Sequence, residues 1–182
     1  MHPAGLPYGR RWFRLDRPGS PMFHRSLVPL FALLVCADGR AQAPAENFQP
    51  QVWINPGVYS YHFDRSKGYR ENNTGLGAEL LLGKDHLLAA ASIINSDRQR
   101  SRLAAYQWRP LHWQVSGVNV SAGVAVAVMD GYPRYRNGGW FVAPLPMLAV
   151  EGEGIGLNVI FVPSIPNRVS GAIAFQAKLR VW

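Results

Sequence analysis

Downstream of residue 46 the sequence repeats one local design eight times. β-prone stretches of about ten residues, at 51–63, 73–82, 87–95, 102–108, 116–129, 140–149, 155–162 and 171–181, alternate with clusters of turn-forming residues. No apolar run in this region approaches the roughly 20 residues that a membrane helix needs. A membrane-spanning strand needs only about 9–11, and bacterial barrels use even strand numbers from eight upward. The expectation is an all-β fold, an eight-stranded antiparallel transmembrane β-barrel formed by residues 46–182.

The connections alternate in character. Those at 83–86, 110–114 and 150–154 are short, and those at 64–72, 96–101, 130–139 and 164–170 are longer and more polar. Short turns belong to the periplasmic side of such barrels and long loops to the outside, so odd-numbered strands run outward. Period-two alternation assigns faces. In the last strand Ile173, Phe175, Ala177, Leu179 and Val181 share one face, with Gln176, Lys178 and Arg180 on the other. Hydrocarbon excludes charge, so the apolar set faces lipid. The fifth strand repeats the pattern with Val118, Val120, Ala122, Val124, Val126 and Val128 outward. A soluble β-sandwich or lipocalin-like barrel would invert these faces. The third, fifth and seventh strands offer almost no polar side for water, which favours the membrane.

Residues 22–45 have the layout of a secretory signal peptide. Arg25 leads, Leu27 to Ala37 form an apolar middle, and Ala41, Ala43 and Ala45 offer a small-residue cleavage region. Residues 1–21 read as an over-long start or an unstructured extension ahead of Met22. Half of the formal net charge of +8 falls in these segments. From Glu46 onward there are 13 Lys and Arg against 9 Asp and Glu, a surplus of +4, which argues for no nucleic-acid partner. The single cysteine, Cys36, lies in the signal, so the exported part has no thiol chemistry. The expected location is the cell outer membrane and the expected partners are membrane lipids. The expected state is a monomer, without cofactor or metal.

The inward face of the fifth strand reads Asn119, Ser121, Gly123, Ala125, Ala127, Met129 from the periplasmic end, and that of the seventh Asn158, Ile160, Val162. Polar residues thus gather in the periplasmic half, and small apolar ones toward the outside. Gly123, Ala125, Ala127, Met129 and Ile160 could line a space for a hydrocarbon chain; simple packing around larger side chains accounts for them equally well. Pro144 and Pro146 in the sixth strand, Pro163 after the seventh and Pro56 in the first cannot donate to a ladder. They imply either a local gap in the wall or a bulge.

Candidate chemistry lies near the outer rim. Alternation turns His62 inward, where it could act as a general base or simply bond a loop. Asn95, Ser96 and Asp97 open the second outer loop. Serine, acid and histidine are the components of acyl transfer, although Asn-Ser-Asp is also a good turn sequence. Arg65, Tyr69 and Arg70 in the first outer loop could engage phosphate. His86 and His112 fall in inner turns.

Several of these segments resemble a known family. The Tyr69-Arg70-Glu71 segment, Gly75 and Gly77, Ala143-Pro144-Leu145-Pro146-Met147 and Phe161-Val162-Pro163 are similar to the outer-membrane lipid A palmitoyltransferases, the PagP type, from Val58 to the C-terminus. The resemblance implies transfer of an acyl chain from a phospholipid to lipid A. It implies His62 and Ser96 as catalytic, a chain-measuring pocket in the outer half, and lateral gates at Pro144, Pro146 and Pro163. Asn95 stands where the family has aspartate, with Asp97 following. His62 lies closer to Tyr69 than the family's histidine does, and residues 47–51 leave no room for its amphipathic helix. A non-enzymatic barrel with a structural or lipid-binding role is the alternative, and a channel the third.

Overall fold

The computed structural model describes residues 49–166 and 168–182. The expected signal peptide, the extension before it and Cys36 lie outside the described residues. The strands are β1 (Gln51–His62), β2 (Asn72–Leu81), β3 (His86–Ile94), β4 (Arg100–Val115), β5 (Val118–Met129), β6 (Phe141–Glu151), β7 (Ile155–Val162) and β8 (Ala172–Arg180). Each pairs antiparallel with its sequence neighbour, and β8 returns to β1 to close the barrel. Closure leaves no free edge strand, so most backbone donors and acceptors are satisfied within the wall, with one interruption between β6 and β7 described below. Four connections cluster at one end, here the loop end, and three short ones at the other, the turn end.

Seven strands match the expected ones to within two residues at either end. The fourth does not. It extends to Val115, and the expected turn at 110–114 is strand. The register of β4 on β5 slips between Trp108 and Leu111, so that Arg109 and Pro110 together oppose Gly123. This is a β-bulge, and it tolerates a proline that regular pairing would reject. The chain reverses instead at Ser116 and Gly117, both with positive φ (49° and 82°), which suits a two-residue hairpin. His112, expected in a turn, consequently lies on β4 and bonds Asp85 at 2.7 Å.

Alternation sorts the faces as expected on β5, β7 and β8. Leu76, Leu88, Tyr106, Trp108, Val124, Val126, Val142, Phe161 and Leu179 are exposed on the outside. Ser121, Ala125, Ala127, Asn158, Ala174 and Lys178 are buried inside. Arg180 is the exception to the inward polar set of β8, since it sits exposed at the turn-end rim. Outward positions of the eight strands carry no Asp, Glu or Lys, and arginine only at Arg100 and Arg102, at the loop end of β4.

Candidate functional site

The lumen is divided into a polar floor and an apolar cavity above it. In the floor, Lys178 is fully buried and donates to Glu79 at 2.8 Å and to Glu151 at 2.7 Å. Arg109, carried inward by the bulge, donates to Glu151 at 2.8 Å. Asn158 joins Glu79 (2.6 Å) to Gln176 (3.0 Å), and Gln176 reaches Asn55 at 3.1 Å. Two cations face two carboxylates, so the web is neutral as a whole, and the Trp53 ring lies 5.0 Å from the Lys178 ammonium. Buried charges persist only when paired in this way.

Above this floor lies a cavity of about 370 Å³, within the range of small-molecule ligand sites. Alanine is the commonest residue of its wall, with Ala89, Ala91, Ala105, Ala125, Ala127, Ala143, Ala172 and Ala174 joined by Met129, Leu145, Ile160 and Val162. Ala125 pairs with Gln107 and Leu145 near the floor, while Met129 lies next to Phe141 at the top. Four residues of a tilted strand separate them, a depth of roughly 10 Å. Gly123 does not line this space. A side chain there would collide with the Trp108 carbonyl oxygen, so this glycine makes room for the bulge and not for a ligand.

One side of the cavity wall lacks pairing. The β5–β6 ladder runs unbroken through Pro144 and Pro146, whereas the β6–β7 ladder stops at Met147 and Ile160. The N–H groups missing from the two prolines are therefore those that would face β7. Toward the loop end, Phe141 to Pro146 has no β-partner on that side among the described residues, and Pro144, Leu145, Val162 and Pro163 border the cavity there. Pro146 lies on the same unpaired edge but does not line the space.

At the mouth, the end of β1 turns His62 inward, buried and stacked on Tyr69 with ring centres 4.6 Å apart. Asn73, on β2, donates its side-chain amide to Ser60 at 2.9 Å and to Ser96 at 3.4 Å. His62 Nδ1 and Asn73 Oδ1 are both buried and have no hydrogen-bond partner among the described residues. Asp97 pairs with Arg134 at 3.2 Å, not with His62, and the Arg134 guanidinium lies 4.8 Å from the Tyr69 ring centre. Tyr132 lies over the same opening. Burial, and secondarily the Asp97 carboxylate, push its phenol up to about 12, so it stays a neutral donor at any physiological pH.

The sequence candidates thus separate into groups. His62, Tyr69, Ser96 and Asp97 all line the cavity mouth. Asn95 does not. Its carboxamide caps the loop by accepting from the Asp97 and Gln99 amides and donating to the Gly131 carbonyl, which is a structural task. Arg65 is held by Glu71 at 2.9 Å, beside a shallow polar pocket that it shares with His62, Asp64 and Tyr69. Arg70 points elsewhere, bonding Thr74 on the outer wall. Sequence reasoning missed Asn73, Tyr132, Arg134 and three charged members of the floor, Glu79, Arg109 and Glu151. Glu79 could have been found, as the one acidic residue at an inward position of an otherwise uncharged strand. Glu151 was hidden in an expected turn, and Arg109 fell between the expected fourth strand and the turn after it. No known protein family matches this chain, and no curated protein matches it.

Proposed function

We propose that this barrel spans the outer membrane, holds one acyl chain of a lipid in its loop-end cavity and transfers that chain to an outer-leaflet glycolipid. The exterior supports the membrane part. A nine-residue strand tilted as in small barrels rises roughly 23 Å, close to the apolar band of such proteins. Exposed aromatic residues stand near both ends, Tyr61, Phe63 and Trp140 toward the loops and Trp113 and Trp182 toward the turns. The hydrogen-bonded floor fills the lower lumen, which disfavours a channel.

One observation carries the lipid-binding part: an alanine-rich cavity whose mouth holds buried polar atoms, His62 Nδ1 and Asn73 Oδ1 among them, without a partner among the described residues. Leaving such a group unpaired costs about 1–3 kcal/mol, so a ligand with a hydrocarbon tail and a head that brings a hydroxyl donor would satisfy both halves. The unpaired edge of β6 supplies a sideways route for the tail. In the proposed reaction His62 takes the proton of the acceptor hydroxyl as that oxygen attacks the donor's ester carbonyl. Asn73 and Ser96 donate to the developing oxyanion. Collapse expels the donor's glycerol oxygen, which recovers the proton from His62. The acyl group moves from ester to ester, and neither water nor an oxidant enters. The family resemblance likewise implies that His62 and Ser96 take part in catalysis.

A lipid-binding barrel without catalysis is the second reading. It is favoured by His62 making no hydrogen bond to Ser96 or Asp97 among the described residues. Mass spectrometry of lipid A from cells with and without the expressed protein separates the two. An added acyl chain that disappears with His62→Ala supports transfer. Unchanged lipid A, with folded protein present in the outer membrane, refutes it.

A further inference from the structure

The outer wall at the loop end of β2, β3 and β4 carries a second feature, four strands away from the unpaired edge. Arg70 donates to Thr74 Oγ1 at 3.0 Å and to the Asn72 carbonyl, and Arg100 reaches Ser92 Oγ at 3.4 Å. Among the described residues neither arginine pairs with a carboxylate. Ser92 is paired with Leu76, which makes Thr74 its diagonal neighbour on the same outward face, about 7 Å away. The two guanidinium groups are thus drawn over one small piece of wall. Directly below them that wall turns apolar, with Leu76, Ala90, Ala104 and Tyr106 on the same face.

We infer that this patch holds the phosphate of a membrane glycolipid, with the lipid's tails lying along the outside of β2–β4. The inference rests on the membrane reading above, but not on acyl transfer. Guanidinium forks match phosphate oxygens in geometry and charge. The apolar wall beneath selects a lipid over free phosphate, because only a lipid would use both halves. Arg102, one row nearer the apolar wall, is already neutralised by Asp130 and leans on Trp140, which leaves Arg70 and Arg100 as the phosphate-binding pair. The site is separate from the cavity mouth and would be occupied whether or not the cavity is.

The test uses the full barrel refolded into phosphatidylcholine vesicles containing either lipid A or lipid A stripped of its phosphates. Native mass spectrometry of the barrel released in mild detergent then counts the retained glycolipid. Retention of one phosphorylated molecule is expected, with occupancy at least about tenfold lower for the stripped lipid and for Arg70→Gln/Arg100→Gln. A control, Lys67→Gln/Arg136→Gln, removes two loop cations elsewhere and is expected to retain the lipid. Equal retention of the stripped lipid by the wild type overturns the inference without relying on any variant. So does equal loss in the control. A chain that never inserts into the vesicles overturns the membrane reading together with this site, whereas insertion without phosphate-dependent retention overturns the site alone.

Discussion

Replacing Ala125 by leucine gives the sharpest test of the cavity. Ala125 is buried next to Met147, Leu145 and Ile160, at the level where the apolar space meets Gln107 and the polar floor. Leucine adds three carbons at that depth and leaves the mouth untouched. A bound chain long enough to reach the floor must withdraw by about the same number of methylenes. At about 0.8 kcal/mol per buried methylene the loss is about 2.4 kcal/mol, or about 50-fold in affinity. A chain three carbons shorter never occupied that space and should bind unchanged. Calorimetric titration of a homologous series of single-chain phosphocholines into the purified barrel, held in a bulky-tailed detergent, measures this directly. A uniform loss across the series, or none at any length, refutes the cavity as the tail site. The ligand-free variant adds its own check. Leucine entering real space should raise resistance to unfolding by about 1 kcal/mol, whereas leucine forced into a packed wall should lower it by about 1–3 kcal/mol.

Other expectations concern the wall and the floor. Lys178→Met strands Glu79 and Glu151 against a single cation and should cost about 3–5 kcal/mol in denaturant unfolding, with much of the loss recovered by adding Glu79→Gln. A loss below about 1 kcal/mol would show that the floor is not ionised as drawn. Gly123→Ala should destabilise the barrel by about 1–3 kcal/mol or more, because the new methyl meets the Trp108 carbonyl of the bulge, and an unchanged melting temperature would count against the bulge. Bonds from the Arg102 guanidinium and then its backbone amide hold the Asp130 carboxyl below the usual range. Its contribution to stability is therefore complete above the unfolded-state value of about 3.9 and fades as pH falls through the lower folded value. Thermal unfolding followed downward from neutral pH should show a steeper acid decline in the wild type than in Asp130→Asn.

The strand count, the sorting of most faces and the division of the lumen into polar and apolar halves were legible in the amino-acid order alone. These properties depend on alternation within one strand and on turn residues at its ends, both of which are local. The inward turn of His62 was legible for the same reason, whereas Ser96, a loop residue, was singled out by its turn motif and by the family resemblance and not by alternation. What faces what across the lumen was not. Lys178 meets a carboxylate 99 positions earlier and another 27 positions earlier, and Arg109 meets the latter across 42. Those encounters follow from the register of ladders around a closed sheet, to which no single segment commits. Tertiary structure likewise decided the length of β4, because its proline is harmless only where an extra residue bulges against Gly123. It sent Arg70 onto the outer wall and left Asn95 as a loop cap, since loop side chains have no pleat to direct them. Alternation reports which side of the wall a side chain takes, and only the closed barrel brings it to its partner.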